Sequence, residues 1–115
     1  MSTLLVVNGA PYGSEAPYNA FRLAEALVLR EEPVEVFLMG DAVHAARAGQ
    51  DPRAAHASLE GLLGGLLERG VSVVCCGTCC QTRGVVEGDL IEGVVFGIIH
   101  DLAEAVARCK AHLSF

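Results

Sequence analysis

Four of the chain's five cysteines fall within six residues, Cys75-Cys76-Gly77-Thr78-Cys79-Cys80, and Gln81-Thr82-Arg83-Gly84 follows directly. An ionised thiol is a soft nucleophile and a metal ligand, so a cluster of this kind calls for a chemical explanation before a packing one. Cys76 and Cys79 have the C-x-x-C spacing. That spacing serves a disulfide, half of a metal site, or a nucleophile with a resolving partner. The adjacent pairs Cys75-Cys76 and Cys79-Cys80 are poor candidates to bond to themselves, because the required geometry is strained. The competing account makes all four cysteines small buried hydrophobes. Burial alone, however, gives no reason for cysteines to gather where a strand ends.

Two other chemistries lack the residues they need. A structural zinc site wants a second C-x-x-C or a histidine pair. His44, His56, His100 and His112 stand singly along the chain, and each reads as a surface or satisfied core residue, so no metal is expected. The loop from Gly9 to Ser14 could cradle a phosphate ahead of a helix. It is neither the G-x-G-x-x-G fingerprint nor a Gly-Lys-Ser/Thr loop, and a tight turn accounts for its glycines. No cofactor is expected.

The elements around the cluster follow from hydrophobic period. Leu4-Leu5-Val6-Val7 is an all-apolar run ending at Asn8-Gly9, the pattern of a strand buried on both faces of a parallel sheet. Ser14 is placed to cap a helix from Pro17 to Arg30, with Glu15 in its first turn and Phe21, Ala24, Leu27 and Val28 on one face. Val34 to Met39 reads as a second strand, and Ala42 to Ala48 as a short helix capped by Asp41. Gly49 to Arg53 reads as a loop. A third helix is predicted from Ala54 to Arg69, with the stripe Leu59, Leu62, Leu63, Leu66, Leu67 and a C-cap at Gly70. Gly64-Gly65 inside it costs about 1 kcal/mol per residue relative to alanine, which implies close apposition to a neighbour or a bend.

Val71 to Cys75 is the third strand, and it delivers the cysteine loop. Cys75 points into the core. Cys76, the first cysteine out of the strand, is the best placed for exposure, with turn amides and Arg83 favouring its thiolate. Gly93 to Gly97 is a short strand, Ile98 to Ala111 a last helix with Cys109 on its apolar stripe, and Leu113-Ser114-Phe115 a final strand. The β-α-β alternation predicts a single α/β domain over residues 1–115. It is a three-layer sandwich with a mostly parallel sheet of four to five strands, flavodoxin-like in outline. In such sheets, ligands and chemistry gather at the carboxyl ends of the strands.

Bulk composition narrows the partners. The 115 residues suffice for one core. They are 52% hydrophobic and 19% charged, an apolar balance for a small domain, so part of the surface is expected in a subunit interface. A net charge of −6, with eight basic residues forming no run, argues against nucleic acid and anionic membranes. No signal peptide or membrane-length apolar run is seen, and a cytosolic, thiol-reducing setting is expected.

Several segments together resemble a known family. They are Asn8-Gly9-Ala10-Pro11-Tyr12-Gly13-Ser14-Glu15, Phe37-Leu38-Met39-Gly40-Asp41-Ala42-Val43, Cys76-Gly77-Thr78-Cys79 with Arg83-Gly84, and the closing Leu113-Ser114-Phe115. They resemble the DsrE/DsrF-like family, on its YchN-like branch, over essentially the whole chain. The resemblance implies a small α/β sulfurtransferase-type fold in a homo-oligomer, a trimer or hexamer, linked to intracellular sulfur transfer. Its better-understood members hold sulfur as a persulfide on a loop cysteine eight residues before the Arg-Gly glycine, and counting back from Gly84 reaches Cys76. Cys79 matches the second cysteine of the branch. Relay members carry two arginines before that glycine, where this chain has Thr82-Arg83.

The expected function is therefore a sulfur carrier or persulfide sulfurtransferase with Cys76, Cys79 and Arg83 at its centre. Its partners would be sulfur donor and acceptor proteins or small thiols. The alternative is an oligomeric scaffold whose cysteines bind metal or sense oxidation.

Overall fold

A computed structural model describes residues 1–53 and 58–115. Five strands form one parallel sheet in the order β4-β3-β2-β1-β5: β1 (Thr3–Val7), β2 (Val34–Leu38), β3 (Ser72–Cys76), β4 (Val95–Gly97) and β5 (Ala111–Ser114). The expected layering is present, and the sheet is parallel throughout. Its strand order departs from the 2-1-3-4-5 order of flavodoxin itself. The chain steps from β1 to β4 in one direction, and the final crossover returns β5 to the far side of β1.

Alternation along the strands sorts the core into two unequal halves. Leu5, Val7, Val36, Leu38, Val73 and Cys75 point to one face, where Ala20, Phe21 and Ala24 of α1 (Ala16–Leu29) and Leu59, Leu63 and Leu66 of α2 (Leu59–Glu68) cover them. Leu4, Phe37 and Cys76 point to the other face, where Ala105 of a single helix joins them. That helix lies at residues Ile99–Arg108. The second face is thinly covered. Val95, Phe96, Ile98, Ile99, Val106 and Leu113, all in the last third of the chain, remain exposed, and so do all four residues of β5.

Local chemistry sets the element boundaries, some of them away from the predicted ones. Glu15 occupies the N-cap position of α1 without a side-chain bond, and Ser14 Oγ instead accepts the Ala16 N–H at 3.0 Å. Residues Gly40–Ala46 form a 3₁₀ helix rather than the predicted helix over 42–48, and Asp41 does not cap it. Ser58 caps α2, its Oγ accepting the Gly61 N–H at 3.1 Å. The predicted start of this helix, Ala54 to Ala57, together with His56, lies outside the described residues. At its other end Gly70, with φ of 82°, takes the left-handed conformation of a C-terminal stop.

The Gly64-Gly65 pair is not a site of close approach. A Cβ at either position would meet nothing within 4 Å, and α2 runs through both. The last helix is shorter than predicted, because the chain must reach β5 at Ala111 to pair with β1. Cys109 therefore falls at that helix's C-terminal boundary and not on its stripe. Its thiol donates to the Val106 carbonyl at 3.2 Å.

Candidate active site at the carboxyl end of β3

The cysteine cluster spans a strand-to-helix junction. β3 extends one residue past its predicted end and takes in Cys76, and Gly77–Gln81 follow at once as α3, a helix of five residues. The expected loop is thus a turn of helix. Cys76 is its N-cap, with an extended backbone (φ −60°, ψ 116°), and its Sγ accepts the Cys79 N–H at 3.3 Å. Sulfur fills the role that a hydroxyl or carboxylate oxygen usually takes at this position. The C-x-x-C spacing is also the spacing from an N-cap to N3, so one geometry brings the two residues together and starts the helix.

Period decides where each thiol faces. Cys75 and Cys76 are consecutive in a strand and point to opposite faces of the sheet. Cys75, wholly buried, enters the core beneath α1 and α2 together with Cys80. Burial pushes the Cys75 thiol well above its ordinary range, and the neighbouring Cys80 adds to the shift. Cys76 joins the smaller core on the opposite face. Cys79 is half-buried and touches both cores.

Cys76 is not the exposed cysteine that its place at the strand end predicts. It retains 7% of its accessible surface, because the last residue of β3 still pairs with Gly97 of β4 and packs in the smaller core with Leu4 and Phe37. Burial raises its thiol, and a hydrogen bond with the Cys79 side chain raises it further. The backbone amides of Cys79 and Thr78 act in the other direction. Cys80 is raised by burial and lowered by the Cys75 thiol and the Arg83 charge. The influence of Arg83 thus falls on Cys80, whereas its expected target was Cys76.

Residues distant in sequence complete the site. The β2 exit brings Gly40 beside α3, and the Gly40 N–H donates to Cys79 Sγ at 3.1 Å. Gly40 has φ of 54°, the left-handed region in which a side chain is strained. The next residue, Asp41, accepts from Arg83 Nε at 2.9 Å. Arg83 Nη1 in turn donates to the Cys79 carbonyl at 3.1 Å. Gly40 and Asp41 therefore hold Cys79 from both sides, at its sulfur directly and at its backbone through Arg83. The sequence placed Asp41 as a helix cap and Gly40 only as the end of the second strand. Their common position at the end of β2, adjacent to β3, was the available signal.

On the far side Gly97 pairs with Cys76 across β3 and β4. Its carbonyl oxygen would lie 3.4 Å from a Cβ placed on Gly77. The Ile98 N–H donates to Asp101 Oδ2 at 2.7 Å, which closes the first turn of α4 (Ile99–Arg108). Cys76, Cys79 and Arg83 are thus brought together with Gly40 and Asp41, while Cys109 lies apart. Among the described residues there is no cluster of three or more side chains arranged to hold a metal ion, and no helix long and apolar enough to cross a membrane.

Comparison with known proteins agrees with this architecture. The uncharacterized protein MK0008 of Methanopyrus kandleri is 40% identical over 102 residues, 89% of this chain and 84% of that protein. Protein YchN of Escherichia coli strain K12 is 39% identical over 114 residues, 97% of both chains. The crystal structure of the Escherichia coli ychN protein superimposes with a TM-score of 0.93 at 37% identity, covering 100% of this chain and 99% of that one. A protein of unknown function from Methanobacterium thermoautotrophicum, MTH1491, has the same fold at a TM-score of 0.77 and 14% identity, covering 100% of both chains. The profile of the DsrE/DsrF-like family, which is commonly linked to sulfur metabolism, matches residues 1–115, and the chain belongs to that family.

Proposed function

We propose that this protein is a sulfur carrier, or persulfide sulfurtransferase, of a thiol-reducing cytosol. The sulfane sulfur is held on Cys76, and Cys79 resolves it. The observation that carries the reading is the backbone N–H aimed at each sulfur of the pair. The Cys79 N–H donates to Cys76 Sγ, and Cys79 Sγ receives the Gly40 N–H. Each sulfur thus has a fixed backbone donor that favours an anionic thiolate or persulfide. In the resolving step Cys79 Sγ attacks Cys76 Sγ, the terminal sulfur leaves as hydrosulfide, and a Cys76–Cys79 disulfide remains. Arg83 keeps α3 seated and adds positive charge at the cluster.

The unit in which this happens is a homo-oligomer, a trimer or hexamer. The thinly covered face and the exposed edge strand β5 support it, since a monomer leaves Phe96, Ile98, Ile99 and Val106 in water. At about 25 cal/mol per Å² of apolar area, burying even part of this face contributes several kcal/mol before association entropy is subtracted. Donors and acceptors are protein or small-molecule thiols.

The test is intact mass spectrometry of the reduced protein after incubation with cysteine persulfide. A gain of one sulfur atom, lost in Cys76→Ser after a brief thiol wash, is the expected result. No gain, with stoichiometric zinc in the protein as purified, would instead support an oligomeric metal-binding or redox-sensing scaffold.

A further inference from the structure

The two cysteines of the C-x-x-C pair differ in access and in what faces them. Cys76 is buried at the end of β3, whereas Cys79 is half-buried on the first turn of α3. Cys79 Sγ receives the Gly40 N–H, and the Cys79 N–H donates to Cys76 Sγ. The Cys79 carbonyl is held by Arg83, which Asp41 fixes in turn. A backbone donor thus reaches the more accessible of the two sulfurs directly, and Arg83, fixed by Asp41, holds the backbone that carries it.

Resting on the sulfur-carrier reading, we propose that Cys79 is the sulfur that first meets the donor, and that it passes the sulfane sulfur inward to Cys76. In the first step Cys79 Sγ, as thiolate, attacks the outer sulfur of a donor persulfide. A bond forms between Cys79 Sγ and that sulfur. The donor's S–S bond breaks, and the donor thiolate leaves with the electron pair. In the second step Cys76 Sγ attacks the sulfur now carried by Cys79. The new S–S bond forms on Cys76, and the one on Cys79 breaks. Cys79 Sγ takes the electron pair together with the proton that Cys76 gives up. Neither step changes the total oxidation state, so no external oxidant or reductant is consumed. The result is a sulfane sulfur in a buried position, shielded from stray thiols, with the entry thiol regenerated.

Gly40 is the positioning residue of the entry step. Its left-handed backbone aims its N–H at Cys79 Sγ, and a side chain there would strain that geometry. Substitution by alanine should slow entry and leave the Cys76 station intact.

The experiment compares sulfur uptake from cysteine persulfide in the wild type, Cys76→Ser, Cys79→Ser and Gly40→Ala, by intact mass at early times. Cys79→Ser should load at least about tenfold more slowly, since one charge-assisted hydrogen bond alone is worth about that factor. Cys76→Ser should still take up one sulfur atom at early times, but lose it faster than the wild type to added dithiothreitol. Fast loading of Cys79→Ser, with none of Cys76→Ser, would overturn the order of stations. Absence of uptake by the wild type would overturn the carrier reading itself.

A second measurement needs no variant. Iodoacetamide labelling of the native protein, mapped by tandem mass spectrometry, should modify Cys79 before Cys76. Equal or reversed labelling overturns the entry role even if sulfur is taken up.

Discussion

Replacing Gly97 by alanine is a small change with a computable consequence. Gly97 ends β4, is buried, and pairs directly with Cys76. A Cβ there would lie 2.5 Å from Val74 Cγ1, 3.2 Å from Asp101 Oδ2 and 3.3 Å from Phe37 Cζ. The first distance is about 1 Å inside ordinary carbon–carbon contact. Val74 is β-branched and stiff at χ1, so it cannot swing aside freely. Phe37 is packed in the smaller core, and Asp101 is engaged with the Ile98 N–H. Relief must come from an off-rotamer Val74, from loss of the Asp101 cap, or from β4 moving away from β3. Overpacking of this kind costs about 1–3 kcal/mol.

For a chain of this size each kcal/mol corresponds to roughly 4 °C in Tm, so the expected fall is about 4–12 °C. Thermal unfolding followed by circular dichroism measures it, at one fixed protein concentration because self-association would shift Tm. Because β4 carries the residue opposite Cys76, the variant should also load sulfur more slowly than its residual stability explains. A Gly97→Ala protein within about 0.5 kcal/mol of wild type would refute the claim that β3 and β4 are tightly fitted beside the site.

The opposite sign is expected at Gly64 and Gly65, where a Cβ meets open space: alanine at either should stabilise by about 0.5–1 kcal/mol in urea denaturation, and a loss would show that the glycines serve a contact outside the protomer. Arg83→Ala should change stability by less than about 1 kcal/mol, because its pair with Asp41 is largely solvated, yet it should reduce the rate of sulfur loading; equal, large losses in both would make Arg83 merely structural. Stability should decline above the ordinary thiol value of 9.0, because the unfolded chain ionises there while folded Cys75 stays neutral. Its stabilisation is thus complete below that pH and lost above it, by up to about 1.4 kcal/mol per pH unit; a Cys75→Ala variant that keeps the full alkaline slope would reject this origin. Sedimentation velocity at micromolar concentration should find an oligomer, and a stable monomer would remove the interface account of the exposed β4–α4–β5 surface.

Most of the architecture was legible because parallel sheets write themselves into sequence as short apolar runs separated by amphipathic helices. Leu4 to Val7 and Val34 to Leu38 left little choice. The ends were less legible. β3 runs on to Cys76 because β4 supplies a partner there, and the last helix stops early because β5 must begin at Ala111 to reach β1. Both boundaries are set by pairing with strands far away in the chain, to which local propensity is blind. The Gly64-Gly65 pair misled for a related reason: a glycine's sequence context does not tell close approach from empty space.

At the site, the sequence alone determined that four cysteines gather at the carboxyl end of the third strand. Residue type and a C-x-x-C spacing are local facts, and so is the end of an apolar run. Tertiary structure decided which thiol is reachable. Whether Cys76 or Cys79 faces solvent depends on β4 lying against β3, and the hydrogen bonds that single out Cys79 come from Gly40, 39 residues earlier, and from Asp41, 42 residues before Arg83. Hydrogen-bond partners contributed from just past the end of a neighbouring strand have no signature in the sequence around the cysteines, because the parallel pairing of β2 with β3 is what places them there.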